Sequence, residues 1–388
     1  MESFSKILFI SRTSLLGGAE ISLLDLLKKI DKDYFCPVVV LPDNKGLFYN
    51  ELKKLNIKTI IKKMAFLRKS YNVFLLIWFL LNIIYMNFYS LWLLKRQNVD
   101  LVVCNSFQDS MFVALPAKLL RKKLIIYIKN ILDKKWKKYI RAKICDIFAD
   151  KIIAISKKNS EDFLNFSKKK EKISVIYEGI DIIRFRENTR KNDVFSEYIN
   201  SDKRCYRIIN IGNLCELKGQ KLLLKALFSD LFKDVDFKVF FIGEANFKKD
   251  YEYKREMLEY VQEHKLGEKV FFLGFKKNIN DYIKYSNLLV HCPVIEEGLG
   301  LVILEAFCLG GIVVGTRIGG IPEIIEDGIN GFLCSVDEKD LAEKIYYVYR
   351  NEDKLDAIRE NARRTVETKF NLDIKIKKTE NAYKEILR

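Results

Sequence analysis

Two carboxylates, Glu297 and Glu305, frame the opening of the segment EEGLGLVILEAFCLGG (296–311), which from Gly298 to Gly311 is otherwise apolar. Residues 300–309 read as a helix that is apolar on every side but one, and therefore buried. A carboxylate inside protein is costly unless it is paired or hydrogen-bonded. No Lys or Arg stands three or four positions from Glu305 on either side. A distant ion pair or a partly exposed helix edge would satisfy it, and so would a ligand with hydroxyl donors. Gly298 and Gly300 favour the ligand. Glycines before a helix let the backbone approach a bound molecule, and the helix start presents free N–H groups to an anion. The segment thus offers an anion site, a hydroxyl acceptor one turn inside, and a second acceptor, Glu297, at the mouth. A nucleotide sugar carries the matching groups: a diphosphate, a ribose diol and sugar hydroxyls.

Composition removes several other chemistries. The eight cysteines are scattered without a C-x-x-C pair, and most sit in apolar runs. They read as buried thiols rather than a disulfide framework or a zinc site. With only two histidines, His264 and His291, a multi-histidine metal centre is not expected. The net charge is +17, and residues 118–172 hold 18 Lys/Arg against 6 Asp/Glu. Such a patch implies an acidic partner. Nucleic acid is not the expected one: no helix-turn-helix, RNP or zinc-knuckle pattern is present, and acids with glycines fill the candidate site.

The elements that must position these residues are legible as short apolar runs separated by helical segments. Candidate strands are 6–11, 36–41, 57–62, 100–105, 123–129, 151–156 and 173–179 in the first half. In the second half they are 206–212, 237–243, 269–274, 287–292 and 311–316. This rhythm indicates βαβ units and parallel sheets, hence an α/β chain of two doubly wound, Rossmann-like domains facing a cleft. The expected division is an N-terminal domain 1–181, a polar linker 182–204, a C-terminal domain 205–370 and a last helix, 371–388, packing back on the first domain. The N-terminus, MESFSKILFISR, reads as a first strand and not as a secretion signal.

On these motifs the chain resembles the family-4 retaining glycosyltransferases of the GT-B fold, of the bacterial surface-polysaccharide type. EGLGLVILEA is similar to that family's E-x7-E motif. The likeness extends through GGIVVGTRIGGIPEIIEDGINGFL (310–333), IGNLCELKG (211–219), KISVIYEGID (172–181), ADKIIAIS (149–156) and LLGGAE (15–20). The resemblance implies that Glu305 binds the donor's ribose hydroxyls and that Glu297 contacts the donor sugar. Backbone N–H groups of Gly298, Leu299, Gly300 and Leu301 would hold sugar and phosphate. Lys218 would neutralise the departing diphosphate, and Gly17 and Gly18 would form the first-domain loop facing it. It also implies a UDP- or GDP-linked donor, no metal or other cofactor, and a lipid-linked saccharide acceptor. The expected location is cytoplasmic, at the inner face of the plasma membrane.

Two departures stand out. Asn213 occupies the donor-side position where family members usually carry arginine. Where many members place a histidine on the acceptor side, this chain offers Tyr127 or Lys129, and sequence alone leaves both open. An epimerase or phosphorylase on the same fold is the alternative enzyme reading; the E-x7-E spacing argues against it.

Two segments bear on the membrane. VFLLIWFLLNIIYMNFYSLWLL (73–94) is long enough to span a bilayer, and basic residues flank it at Arg68, Lys69, Lys95 and Arg96. Asn82, Asn87 and Ser90 interrupt it, and a span would put strands of one sheet on opposite sides of the bilayer. A helix packed on the sheet or dipping into the interface is therefore expected. In ILDKKWKKYIRAKICDIF (131–148), Leu132, Trp136, Ile140, Ile144 and Phe148 form one apolar stripe among lysines. That pattern suits a helix on an anionic bilayer, or equally one docked on the sheet by that stripe.

Overall fold

Parallel strands buried on both faces read as continuous Val/Ile/Leu/Phe runs, and each run named above forms a strand. The structure, a computed structural model, describes residues 4–65, 73–132, 134–187, 189, 192–199 and 205–388, the side chain of Asp162 excepted. Arg68 and Lys69, and residues 188, 190, 191 and 200–204 of the expected linker, lie outside the described residues.

The chain forms two compact units, Met1–Glu178 with Asp373–Arg388, and Gly179–Leu372. The first holds β1 (Ser5–Ile10), β2 (Phe35–Leu41), β3 (Lys58–Ile61), β4 (Leu101–Cys104), β5 (Lys123–Ile128), β6 (Lys151–Ala154) and β7 (Ile173–Val175). They form a seven-stranded sheet in the order β3-β2-β1-β4-β5-β6-β7, parallel throughout. The second holds β8 (Tyr206–Ile211), β9 (Phe237–Ile242), β10 (Val270–Gly274), β11 (Leu288–His291), β12 (Val313–Thr316) and β13 (Phe332–Cys334). Its sheet runs β10-β9-β8-β11-β12-β13, again parallel. β13 was not foreseen: three apolar residues are too few for a strand signal. Each sheet reverses its strand order once, between β1 and β4 and between β8 and β11. A doubly wound sheet opens its ligand crevice there, outside the carboxyl ends of the strands.

The described part of the stretch read as a polar linker packs on the second unit instead. Ile182–Glu187 is helical. Arg186 Nε donates to the carbonyl of Cys308 (2.9 Å) and its Nη2 reaches Glu367 (2.9 Å). Phe195 is fully buried, 4.4 Å from the Phe240 ring centroid. Tyr198 packs beside it on Phe240 and Phe271, and the charged surroundings hid both aromatic anchors. The last helix, Leu372–Leu387, belongs to the first unit from Asp373 onward, where Tyr383 is buried against Phe9 and Phe35.

Helix Val73–Arg96 packs on the first unit by one face, through Met86, Ser90, Leu93 and Leu94. The three polar residues that interrupt its apolar run make the attachment. Asn82 Oδ1 accepts from the Ala65 N–H (2.7 Å), Asn87 Nδ2 donates to the Met111 carbonyl (2.9 Å), and Ser90 Oγ donates to the Phe112 carbonyl (2.9 Å). In helix Lys135–Phe148 the sheet-facing side is not the expected stripe. Arg141, Ala142, Cys145 and Asp146 are buried, whereas Trp136 and Ile140 are exposed. Arg141 makes this possible: its Nη1 donates to the Asn130 carbonyl (2.8 Å) and its guanidinium lies over the Phe163 ring.

Candidate active site

The second-unit site grows out of the β8 and β11 carboxyl ends. After β8 the chain makes one 3-10 turn, Glu216–Lys218. The Val294 N–H donates to the Leu217 carbonyl (2.9 Å), fixing that turn against the segment leaving β11. Lys218 Nζ then lies 2.8 Å from each oxygen of Glu297. His291, the last residue of β11 and almost fully buried, places Nε2 3.1 Å from Glu297 Oε2. Burial pushes the Glu297 carboxyl upward, but His291 and Lys218 outweigh it and hold the group far below the usual carboxylate range. The site therefore presents an ionised carboxylate and an ammonium side by side.

Two glycines shape the backbone around that pair. Gly300 has φ +91° at the N-cap of helix Leu301–Cys308. A Cβ there would lie 3.3 Å from His291 Nε2 and 3.1 Å from Ile303 Cδ1. Gly319, at φ +57°, sits so close to the Glu297 backbone that a Cβ would come within 2.2 Å of its carbonyl oxygen. The next residue's N–H, from Gly320, donates to that same carbonyl (2.9 Å). The Gly-Gly of TRIGGIPE thus holds the loop Glu297–Leu299 from behind. Gly298 and Leu299 are buried and lead into the helix, whose first N–H groups are the anion-binding feature read from the sequence. Leu301 and Glu305 share one half-buried edge of that helix, and the residues between them are buried. Glu305 therefore occupies a partly open edge rather than a sealed core. Asn213 follows β8 with its side chain exposed, while its carbonyl accepts from Gln220 Nε2 (3.0 Å).

The first unit gathers a second polar cluster at the carboxyl ends of β1, β4 and β5. Gly17 and Gly18 are exposed at the start of helix Gly18–Lys29, with Gly17 as its N-cap. One turn in, Glu20 is buried and accepts from Ser11 Oγ (3.4 Å); burial raises its pKa despite Lys129 nearby. Lys129 Nζ donates to Asn105 Oδ1 (2.7 Å) and to the Ala19 carbonyl (3.1 Å). Arg12 pairs with Asp109 (3.5 Å), whose carboxyl burial pushes up to about 6. Glu178, Lys375 and Ser22 close the cluster from beneath. Of the two candidates for the family's histidine position, Lys129 joins this cluster and Tyr127 does not. The Tyr127 hydroxyl is buried within β5 and bonded to Tyr383 (3.0 Å), so it has no free face for an acceptor.

Sequence reasoning missed His291, Arg12, Glu20 and Asp109 as members of these clusters. His291 had a signal: it is one of only two histidines and ends an apolar strand run six residues before Glu297.

Burial depresses Lys129 to about 8, with Glu178 opposing, against an unfolded value near 10.4. Between about pH 8 and 10.4 the unfolded chain binds the extra proton, so this group makes stability rise with pH. The stability of the parent relative to Lys129→Met is therefore expected to increase from pH 8 to 10 in thermal unfolding. A pH-independent difference would contradict the assignment.

Comparison with known proteins places this geometry. Residues 16–184 match the family described as Glycosyltransferase Family 4, and residues 191–365 match Glycosyl transferases group 1. The chain is 30% identical over 182 residues to N-acetyl-alpha-D-glucosaminyl L-malate synthase of Bacillus anthracis, covering 47% of this chain and 46% of the relative. It is 23% identical over 216 residues to the UDP-Gal:alpha-D-GlcNAc-diphosphoundecaprenol alpha-1,3-galactosyltransferase of Escherichia coli, covering 55% and 54%. The chain thus spans about half the length of these curated relatives. Among solved structures, Anabaena HepE in complex with UDP-glucose aligns with a TM-score of 0.82 at 23% identity, over 98% of this chain and 99% of that one. That likeness shows the fold. With both of its halves matched in order, the chain belongs to glycosyltransferase family 4 and has the GT-B fold of two Rossmann-like domains.

Proposed function

We propose that this protein is a retaining glycosyltransferase, hexosyltransferase-like, that moves a sugar from a UDP- or GDP-linked donor to a lipid-linked saccharide in surface-polysaccharide synthesis. The observation that carries the reading is the Lys218–Glu297 pair, 2.8 Å apart, beside the N-terminus of the helix bearing Glu305. In transfer, the bond between the anomeric carbon and the diphosphate oxygen breaks, and a bond from that carbon to the acceptor oxygen forms on the same face. The acceptor's proton goes to the departing phosphate oxygen. Negative charge grows on the diphosphate, and Lys218 with the helix N–H groups is placed to stabilise it. Glu297 accepts from sugar hydroxyls and Glu305 from the ribose. Gly17 and Gly18, at a helix start in the first unit, are assigned to the diphosphate, and Lys129 to the acceptor side. The reading is supported by two relatives: the Escherichia coli one is named for UDP-Gal and a diphosphoundecaprenol-linked sugar, and HepE is solved with UDP-glucose. The basic segment 118–172 supports a place at the inner face of the plasma membrane.

The test is purified protein against a panel of nucleotide sugars with lipid-pyrophosphate-linked acceptors, reading nucleotide release and the anomeric configuration of the product. An inverted product would sink retention, and no release with any donor would sink the transferase reading. A product made without any acceptor would favour an epimerase. Because Lys218 and the helix N-terminus supply fixed positive potential, transfer is expected to persist in excess EDTA. Loss of rate that added Mn²⁺ restores would overturn metal independence.

A further inference from the structure

Helix Val73–Arg96 has two opposite faces. At about 100° per residue, the packed residues Met86, Ser90, Leu93 and Leu94 lie across the axis from Ile77, Leu81, Ile84, Phe88 and Trp92. The second set is exposed by roughly half or more at every position (Phe88 69%). The exposed seam runs for about 22 Å at ~1.5 Å per residue. Soluble surfaces rarely carry an apolar patch of this extent without a partner. The helix is apolar and long enough to cross a bilayer. However, Asn82, Asn87 and Ser90 tie it to backbone groups of the first unit along its packed face. It therefore lies along the domain surface and offers its other face outward.

What surrounds the seam identifies the occupant. The chain has three tryptophans, Trp78, Trp92 and Trp136, and all three are exposed. Each has a cation over its ring: Lys63 Nζ 5.8 Å from the Trp78 centroid, Arg96 Cζ 4.9 Å from Trp92, and Lys137 Nζ 5.9 Å from Trp136. Lys62 lies likewise over Tyr85 and Tyr89. Trp136 belongs to helix Lys135–Phe148, which follows Val73–Arg96 through the intervening helix Ala114–Leu119; that helix contacts both and exposes Leu115 and Leu119. An apolar seam bordered by tryptophans and cations matches the layering of a bilayer interface, acyl chain beneath and anionic headgroup above.

We propose that the exposed face of helix 73–96, with the neighbouring Trp136 edge, is a monotopic docking surface that enters one leaflet of an anionic phospholipid bilayer. This deepens the membrane location proposed above and rests on that part of it. The basic helix 135–148 then acts as the electrostatic rim, and the 73–96 seam is the inserted element.

The experiment uses the full chain and vesicles of phosphatidylcholine with and without phosphatidylglycerol. Tryptophan fluorescence of the unaltered protein is expected to shift to the blue and to be quenched by brominated acyl chains. The triple variant Leu81→Ser, Ile84→Ser, Phe88→Ser is expected to partition about 100-fold less, with thermal unfolding confirming that it folds. Changing Lys134, Lys135, Lys137 and Lys138 to Glu is expected to abolish only the preference for anionic vesicles. Triple-variant binding equal to the parent, or absence of brominated-lipid quenching, overturns the proposal. So does a concentration-dependent dimer in vesicle-free buffer that the triple variant abolishes, since the seam would then cover a second copy. Transfer to a short soluble acceptor is measured alongside. If transfer survives and vesicle binding fails, the docking surface falls alone; if no donor is used while vesicles still bind, the enzymatic reading falls alone.

Discussion

Lys218→Ala is expected to lower kcat by about 100- to 1,000-fold, the range seen when one preorganised transition-state donor is removed, while the donor's KM changes little. On the function proposed above, the lysine would sit where charge grows rather than where it already rests. Its ammonium is held by both Glu297 oxygens at 2.8 Å. A diphosphate leaving group gains negative charge as the glycosidic bond breaks, so an ammonium at that place binds the transition state more tightly than the substrate. One effect would mimic this. Loss of the cation leaves Glu297 with the His291 Nε2 contact at 3.1 Å, and a displaced carboxylate would also lower turnover; Glu297→Gln in the same background separates the contributions, because residues acting as a unit give non-additive losses. A rise in KM with kcat unchanged would mean that Lys218 only binds the donor uniformly.

Glu305→Ala is expected to weaken nucleotide binding about 10- to 100-fold, since a hydrogen bond to a charged group contributes about 1.5–3 kcal/mol. Its place favours a binding role over a structural one. Within helix Leu301–Cys308 the residues from Val302 to Leu304 and from Ala306 to Cys308 are buried, and Glu305 stands on the edge it shares with Leu301. A carboxylate on a partly open edge can be reached by a ligand without the full cost of burial. Calorimetry with the nucleoside diphosphate reads the change directly. Parental affinity in the variant would refute the ribose assignment, whatever happens to turnover.

Much of the architecture was legible because buried parallel strands are nearly continuous apolar runs. Ile7–Ile10, Val38–Leu41 and Val239–Ile242 are all but fully buried, and their composition says so. The two acids and the glycines of 297–305 were legible for a different reason: a carboxylate among apolar residues and a glycine before a helix each break a local rule, and such breaks concentrate at functional sites. Phe332–Cys334 broke no rule and was too short to register as a strand. The choice between Tyr127 and Lys129 was also out of reach. They share strand parity, so only the point at which β5 ends, and a hydroxyl arriving from Tyr383 256 residues later, separates a core tyrosine from a site lysine.

The sequence by itself determined the strand rhythm, the E-x7-E pair and the existence of a long apolar helix at 73–94. Only the tertiary structure decided which residues meet. Lys218, His291 and Glu297 converge because β8 and β11 are neighbours at the point where the strand order reverses. Only the tertiary structure, too, assigned faces to helices 73–96 and 135–148, the two segments for which a membrane role is proposed. Hydropathy sums over all directions around a helix axis, so a core helix, a span and an interfacial helix read alike. What distinguishes helix 73–96 is that Asn82, Asn87 and Ser90 find backbone partners on one side, and those partners come from segments brought alongside by folding.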